Sequence, residues 1–372
     1  MDERLYWLSF SQFPGVGPKT FRKLTTHFGS AKAAWEAPAS DLRKVLGETL
    51  FTRFERFRKA FNVDRNQREL GKKHVSFLIL SDKEYPSLLT KIPNPPFVLY
   101  VRGEGKALSS HSLAVVGTRT MTQYGSEVTN LLASELVQAE FTIVSGLALG
   151  VDAAAHRGAL AAGGKTIAVL GCGVDCCSPG ENQALYDKIL KNGCIVSELP
   201  LGHPPTKGSF PSRNRIIAGL SLGVLVTEGA EDSGALITAD YARKFGRPVF
   251  AVPGPITSTL SKGPYKLIEK GARLVTSAAD ILEELGITKR GGPPSRLLRR
   301  SGCEGRARLR RVKGDTKEET VILIILANEP LHFDEIVKRT KMDSSVVGST
   351  LSLMEIKGMV KSQESGVFSI AT

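Results

Sequence analysis

Several functional classes are excluded by what this chain has little of. Five cysteines in 372 residues, an odd number at irregular spacing, make no disulfide framework and fit a reducing compartment. No run nears the roughly 18 apolar residues that a membrane-spanning helix needs. Residues 1–10 (MDERLYWLSF) carry acids where a secretory leader is apolar, so the chain is expected in the cytoplasm. No Gly-x-x-x-x-Gly-Lys-Ser/Thr stretch occurs, which argues against a P-loop nucleotide site. Aromatic residues are 7% of the chain, so stacking on bases has limited means and electrostatics must dominate any nucleic-acid contact.

What the chain does have is positive charge, unevenly placed. The net charge is +13, yet 289–313 hold ten Lys or Arg against one Glu, which accounts for nine of the thirteen and leaves four for everything else. Segment 289–316 carries Gly-Gly-Pro-Pro near its start, at 291–294, and is poor in apolar residues, the composition of a linker. It reads either as a solvated tether or as a basic strap that adds salt-sensitive affinity for phosphates.

The length exceeds one compact core, and the pattern divides it. Residues 1–65 read as an N-terminal helical domain and 66–288 as the central domain. The linker at 289–316 leads to a small domain at 317–372. In the central part, apolar runs at 113–117, 141–146, 166–171, 194–198, 223–228, 248–254 and 273–277 alternate with helical stretches such as 124–138, 151–162 and 236–245. The runs are apolar on both faces, the mark of strands buried in a parallel, doubly wound sheet. Runs at 75–80 and 97–103 are expected to add strands or a flap at one edge.

In such a sheet, ligands bind beyond the carboxyl ends of the strands, where strand order reverses. The loops expected there are Gly117-Thr118-Arg119-Thr120, Ser145-Gly146-Leu147-Ala148, Gly171-Cys172-Gly173, and Glu228-Gly229-Ala230 running on to Ser233-Gly234. Ser212-Arg213-Asn214-Arg215 adds cations and an amide near a helix start, and Thr238 follows the last loop. Bare glycine amides, small hydroxyls and Arg forks describe a phosphate slot. Taken singly, each loop is equally a tight turn. Phe210, just before the Arg run, either stacks on a base or anchors its loop.

Rival sites are defective. Gly171-x-Gly173 has Cys176 at the third glycine of a dinucleotide fingerprint, and Pro179 delays the helix. Asp152 and His156, one helical turn apart, read as a base with its orienting acid or as a capping Asp with a packing His. Glu198 and Glu228 close strands and either hold a metal or brace a glycine loop. Cys172, Cys176 and Cys177, with Cys194 near, lack metal-site spacing. No cofactor and no metal are expected.

The flanks offer less. Pro14-Gly15-Val16-Gly17-Pro18-Lys19 resembles a helix-hairpin-helix turn, with Lys19 and Lys23 to assist phosphate binding, or an ordinary helical hairpin. Residues 331–339, 343–357 and 359–370 fit two helices and a β-hairpin, in outline a winged helix. Its second helix exposes Ser344, Ser345, Ser349 and Glu355, poor equipment for base edges.

The ordered motifs of the central domain resemble the DNA-processing protein A family, also called Smf: AVVGTRTMTQYG (114–125), SGLALGVDAAAH (145–156), TIAVLGCGVD (166–175), SELPLG (197–202), FPSRNRIIAGLS (210–221), EGAEDSGALITADYA (228–242), GRPVFAVPG (246–254) and LIEKGA (267–272). The resemblance implies an extended Rossmann-like sheet with a helix-hairpin-helix (SAM-like) domain before it and a winged helix after it. It further implies single-stranded DNA binding without turnover, a homodimer, and loading of the RecA recombinase during natural transformation. Single-strand-binding protein is expected as a further partner. The family's DNA-contacting positions, carried over by motif, fall on Arg119, Ser145, Gly146, Lys165, Arg213, Asn214, Ser233 and Gly234; Gly117, Phe210, Arg215 and Thr238, read from the loops themselves, are expected beside them. A dimer patch is expected at Tyr265, Leu267 and Ile268. Leu149 departs from a position often basic in the family, and Ser178 from a common Tyr. Two other functions stay open: a nucleotide-processing enzyme of phosphoribohydrolase type acting through Glu228, and a transcription regulator acting through 317–372.

Overall fold

A computed structural model describes residues 2–287, 316–326, 331–340, 342–363 and 366–370. The basic linker expected over 289–316 therefore lies, except for Thr316, outside the described residues. Contacts divide the chain into two compact units, Met1–Lys289 and Arg290–Thr372.

The first unit begins with helices α1 (Glu3–Ser11), α2 (Pro18–Phe28), α3 (Ala31–Glu36), α4 (Ala39–Leu46), α5 (Glu48–Ala60) and α6 (Val63–Lys72), so the helical region runs past residue 65. Aromatic packing joins them: Phe10 stacks on Phe54 with ring centroids 5.4 Å apart, and Trp35 meets both rings edge-on. Such pairs add about 0.5–1.5 kcal/mol beyond burial. Gly15 sits at φ +151 between α1 and α2, with Leu50 Cδ1 only 2.8 Å from where a Cβ would stand. Lys23 Nζ donates to the Val45 carbonyl at 2.7 Å, whereas Lys19 is exposed. Phe21 stacks on Phe97 at 4.1 Å, and Tyr100 Oη lies 2.6 Å from Ser11 Oγ and from Gln12 Nε2. These contacts seat the helices on the sheet.

The sheet has strands β1 (Val75–Ile79), β2 (Val98–Gly103), β3 (Ser112–Val116), β4 (Thr142–Ser145), β5 (Thr166–Val169), β6 (Gly193–Ser197), β7 (Val224–Val226), β8 (Val249–Ala251) and β9 (Arg273–Leu274) in the order β1-β2-β6-β5-β4-β3-β7-β8-β9. From β6 to β9 every pair is parallel; β1 and β2 join antiparallel at the β6 side. The chain starts in the middle at β3, winds out to β6, returns, and winds the other way through β7 to β9. Ala114 of β3 accordingly pairs with Val144 of β4 and Val224 of β7. Helices between strands cover both faces: α7 (Ser87–Thr90), α8 (Gln123–Gln138), α9 (Val151–Ala161), α10 (Gln183–Lys191), α11 (Ser209–Leu220), α12 (Gly234–Lys244), α13 (Lys262–Glu269) and α14 (Ala278–Glu284). Alternate residues of one strand serve different cores: Leu113 and Val115 enter one cluster, Ala114 and Val116 another.

The second unit contains α15 (Lys317–Leu326), β10 (Leu331–His332), α16 (Phe333–Thr340), α17 (Ser344–Ile356), β11 (Val360–Gln363) and β12 (Val367–Ile370), with strand order β10-β12-β11. Ile322, Ile336, Val347, Leu351 and Met354 form its core. This is a winged helix. The outer face of α17 carries Ser345, Ser349 and Glu355, and also Val346, Leu353 and Ile356.

Candidate nucleic-acid interface

Strand order reverses at β3, the position where doubly wound sheets bind ligands beyond their strand ends. Three loops are stitched together at that point. The Thr118 amide donates to the Glu228 carbonyl at 2.7 Å, and the Val151 amide donates to the Thr118 carbonyl at 3.0 Å. A Cβ on Gly117 would fall 2.6 Å from both the Glu228 carbonyl oxygen and Val151 Cγ2. Only glycine permits that approach.

Glu228 is 2% exposed, and its carboxylate accepts the Thr122 amide at 2.9 Å and the Thr122 hydroxyl at 2.6 Å. A side chain on Gly125 would strike it, the Cβ lying 2.0 Å from Oε2. Glu228 thus braces the start of α8, where unpaired amides and the helix dipole favour a carboxylate.

Arg119 projects from this braced loop and is exposed. Its guanidinium carbon lies 5.7 Å from the centre of the Phe210 ring, and among the described residues it makes no ion pair or hydrogen bond. Phe210, half-buried at the start of α11, rests by Gly171, whose Cβ position is 3.2 Å from the ring. Ser209 Oγ donates to the Gly171 carbonyl at 2.5 Å and fixes the register of that contact. A cation and a ring from two motifs 91 residues apart in the chain thus stand together at the switch point.

The other arginines face inward. Arg213 is 7% exposed; Nη1 donates to the Val169 carbonyl at 2.7 Å, Nη2 lies 3.8 Å from Asp152, and Nε has no partner among the described residues. Asp152 also accepts the amides of Gly146 at 3.1 Å and Ala148 at 3.4 Å. Burial disfavours both charges, raising the Asp152 pKa and lowering that of Arg213, while each opposes the shift in the other. The pair shapes the β4–α9 loop from below. Arg215 forms an ion pair with Glu198, whose pKa burial raises and Arg215 pulls back.

The remaining positions divide similarly. Asn214 Nδ2 donates to the Gly234 carbonyl at 3.3 Å, tying α11 to the start of α12, where Ser233 Oγ accepts the Ala235 amide at 3.3 Å. Gly234 is exposed, whereas Thr238 is buried beneath the same helix. Ser145 is fully buried and donates to the Val115 carbonyl at 2.7 Å. Lys165 precedes β5 at the opposite, amino-terminal end of the sheet and pairs with Glu104 at 3.0 Å, so the fold does not bring it to the rim. Lys207, unremarked in the sequence, is exposed three residues before Phe210; its place ahead of the Ser-Arg-Asn-Arg run was the available signal.

His156 does not engage Asp152. Its Nδ1 lies 2.6 Å from Thr166 Oγ1, which itself donates to the Ile143 carbonyl at 2.8 Å. The hydroxyl proton is used, so Nδ1 must carry the ring's proton and Nε2 is left bare. Burial and the nearby Arg213 and Arg157 lower the His156 pKa to about 3. Cys172 Sγ donates to the Cys176 carbonyl at 3.1 Å, and Cys194 lies in the core on the other face of the sheet.

The geometry agrees with family comparisons. Residues 76–286 match DNA recombination-mediator protein A, 1–40 match a DprA-like N-terminal HHH domain, and 309–366 match the DprA winged helix domain. Protein Smf of Synechocystis is 38% identical over 392 residues, covering 98% of each chain. The chain belongs to the DNA recombination-mediator protein A family. DNA processing protein DprA of Bacillus subtilis is 44% identical over 212 residues, 57% of this chain and 71% of that one. Among solved structures of the family, DprA from Streptococcus pneumoniae superposes with a TM-score of 0.67 at 36% identity, covering 76% of this chain and 98% of that one. DprA from Helicobacter pylori, a structure concerned with a unique single-stranded DNA binding mode, gives 0.52 at 34% identity over 57% and 95%. The family and the three-part fold read from the motifs are thereby borne out.

Proposed function

We propose that this protein binds single-stranded DNA without reading its sequence, during DNA processing in natural transformation. The observation that carries the reading is Arg119, an exposed guanidinium that makes no ion pair or hydrogen bond among the described residues and stands over Phe210 at the topological switch point. A phosphate is the natural partner of that fork, and the face of Phe210 suits a base. Phosphate contacts position a strand but carry no sequence information. Relatives named for DNA processing, and the Helicobacter pylori structure concerned with single-stranded DNA, favour the same ligand.

In this reading Gly117, Ser233 and Gly234 present backbone and hydroxyl groups to the strand, and Asn214 holds two of the loops in register. Ser145, Gly146, Arg213, Arg215 and Thr238 act from beneath, and Lys207 adds a cation. The protein works in the cytoplasm without cofactor or turnover, places RecA on the bound strand, and meets single-strand-binding protein there. It does so as a homodimer. For the dimer, Leu267 is buried and Tyr265 donates its hydroxyl to the Gly254 carbonyl, so that stretch contributes chiefly through half-buried Ile268.

An enzyme acting through Glu228 is disfavoured because Thr122 occupies both its oxygens. Gly219-Leu220-Ser221-Leu222-Gly223 has the spacing of a nucleophile elbow, but it runs from α11 into β7, and buried Ser221 donates to the Ile217 carbonyl at 3.0 Å. An elbow needs the reverse, strand into helix.

Gel-shift titration of single- and double-stranded oligonucleotides tests the reading. Arg119→Ala should weaken single-strand binding by about tenfold or more, the worth of a charge-assisted contact. Unchanged affinity in moderate salt would refute the slot. RecA nucleation on coated strands, with and without the protein, tests the loading step.

A further inference from the structure

Behind the rim, α9 and α10 lie side by side and leave a cavity of about 560 Å³ between them. The helical period explains its lining. Ala184, Lys188 and Lys191 recur at i, i+4 and i+7 on α10, and Arg157 stands on the facing row of α9. Arg157, Lys188 and Lys191 are exposed, and among the described residues none makes an ion pair or hydrogen bond. Glu181 is the one acid in the lining. Like charges on one helix face repel, so this arrangement is relieved by an anion.

The two ends of the cavity fix its direction. At one end Asn182 donates its amide to the carbonyls of Leu147 at 2.9 Å and Ala148 at 3.2 Å, within the loop that carries Gly146 at the rim. At the other end the Asn192 carbonyl accepts the Thr166 amide at 3.4 Å, next to Lys165. The groove therefore runs from the rim to the amino-terminal end of β5, roughly 14 Å along the nine residues of α10.

We propose that the α9–α10 groove is a second run of phosphate contacts for the strand gripped at the rim. DNA leaving Arg119 passes over Asn182 and lays its following phosphates against Arg157, Lys188 and Lys191. The inference rests on the rim being a single-strand slot. Lys188 and Lys191 stabilise the carboxyl end of α10 as well, but that role is blind to the length of a bound oligonucleotide.

Length is therefore the readout. The full-length protein is titrated across salt with oligothymidylates of about 6 and about 20 nucleotides, bracketing the site sizes of single-strand binders. Lys188→Glu with Lys191→Glu should leave the short oligomer's affinity unchanged and weaken the long one about tenfold or more. Its salt slope should fall by about 1.4, the counterion release of two single-strand phosphates. Lys188→Arg with Lys191→Arg should restore both. Equal weakening at both lengths, or none at either, overturns the groove. Arg119→Ala in parallel separates the two ideas: if it abolishes short-oligomer binding while the Glu variant matches wild type on the long one, the rim stands and the groove falls. If Arg119→Ala leaves the short oligomer bound, the rim reading fails, and the groove fails with it.

Discussion

The guanidinium of Arg213 occupies the space a side chain on Gly146 would take: a Cβ built there lies 1.5 Å from Nη1. The glycine of one sequence motif and the arginine of another are thus two halves of a single internal contact. Gly146→Ala should expel the guanidinium from the Val169 carbonyl and from Asp152. Breaking a buried charged contact costs on the order of 3 kcal/mol, so denaturant unfolding should show a loss of that size. A midpoint equal to wild type would mean that Arg213 has another place to go.

Arg119 and Arg213 should separate by phenotype, although the sequence offers them as equivalent forks. Arg119→Ala removes an exposed side chain and should change stability by no more than about 0.5 kcal/mol, while oligonucleotide binding falls. Arg213→Ala leaves Asp152 buried without its cation and should lower stability by about 3 kcal/mol. Thermal unfolding beside gel shifts reads both effects, and equal stability losses would contradict the assignment.

Glu228→Gln replaces an acceptor oxygen with an amide donor facing the donors of Thr122. One buried donor is left unsatisfied, at a cost of about 1–3 kcal/mol. The variant should unfold earlier, and neither it nor wild type should release product from a panel of nucleoside monophosphates. Product formed by wild type and lost in the variant would restore the enzymatic alternative.

His156 predicts a pH dependence. Its pKa is lowered to about 3 in the fold against about 6.5 when unfolded. Between those values the unfolded chain holds a proton that the folded chain refuses. Its contribution to stability is therefore fully present above pH 6.5 and lost as pH falls toward 3, at up to about 1.4 kcal/mol per unit. Asp152, raised by burial, acts in the opposite sense, so the test is a difference. His156→Asn should have a flatter stability profile than wild type across that window. Parallel profiles would mean that the ring protonates freely in the fold.

The alternation of apolar runs with helical stretches was enough to place β3 to β9 and the helices between them, because a strand buried on both faces leaves no polar alternation to mistake. The edge pair β1 and β2 was legible only as extra strands. Its antiparallel attachment beside β6 depends on contacts with the N-terminal helices, such as Phe21 on Phe97. Within the site, glycine and arginine were readable as an anion loop, but the direction each side chain takes was not. Arg213 and Arg215 point to Asp152 and Glu198, acids 61 and 17 residues away, and such pairings arise only when the helices are laid on the sheet. Lys165 shows the same limit from the other side, because its motif adjoins a rim loop in sequence while its backbone starts the strand at the far end.

What the sequence determined by itself is the kind of object this is: periodicity fixes strands and crossovers, and crossovers of one hand gather the glycine loops along one edge. The tertiary structure alone decided which cations face outward. A charge is left for a ligand only where no acid or carbonyl of the fold reaches it first, and that competition is settled across residues far apart in the chain. Arg119 is left over at the rim; Arg213 and Arg215 are taken within.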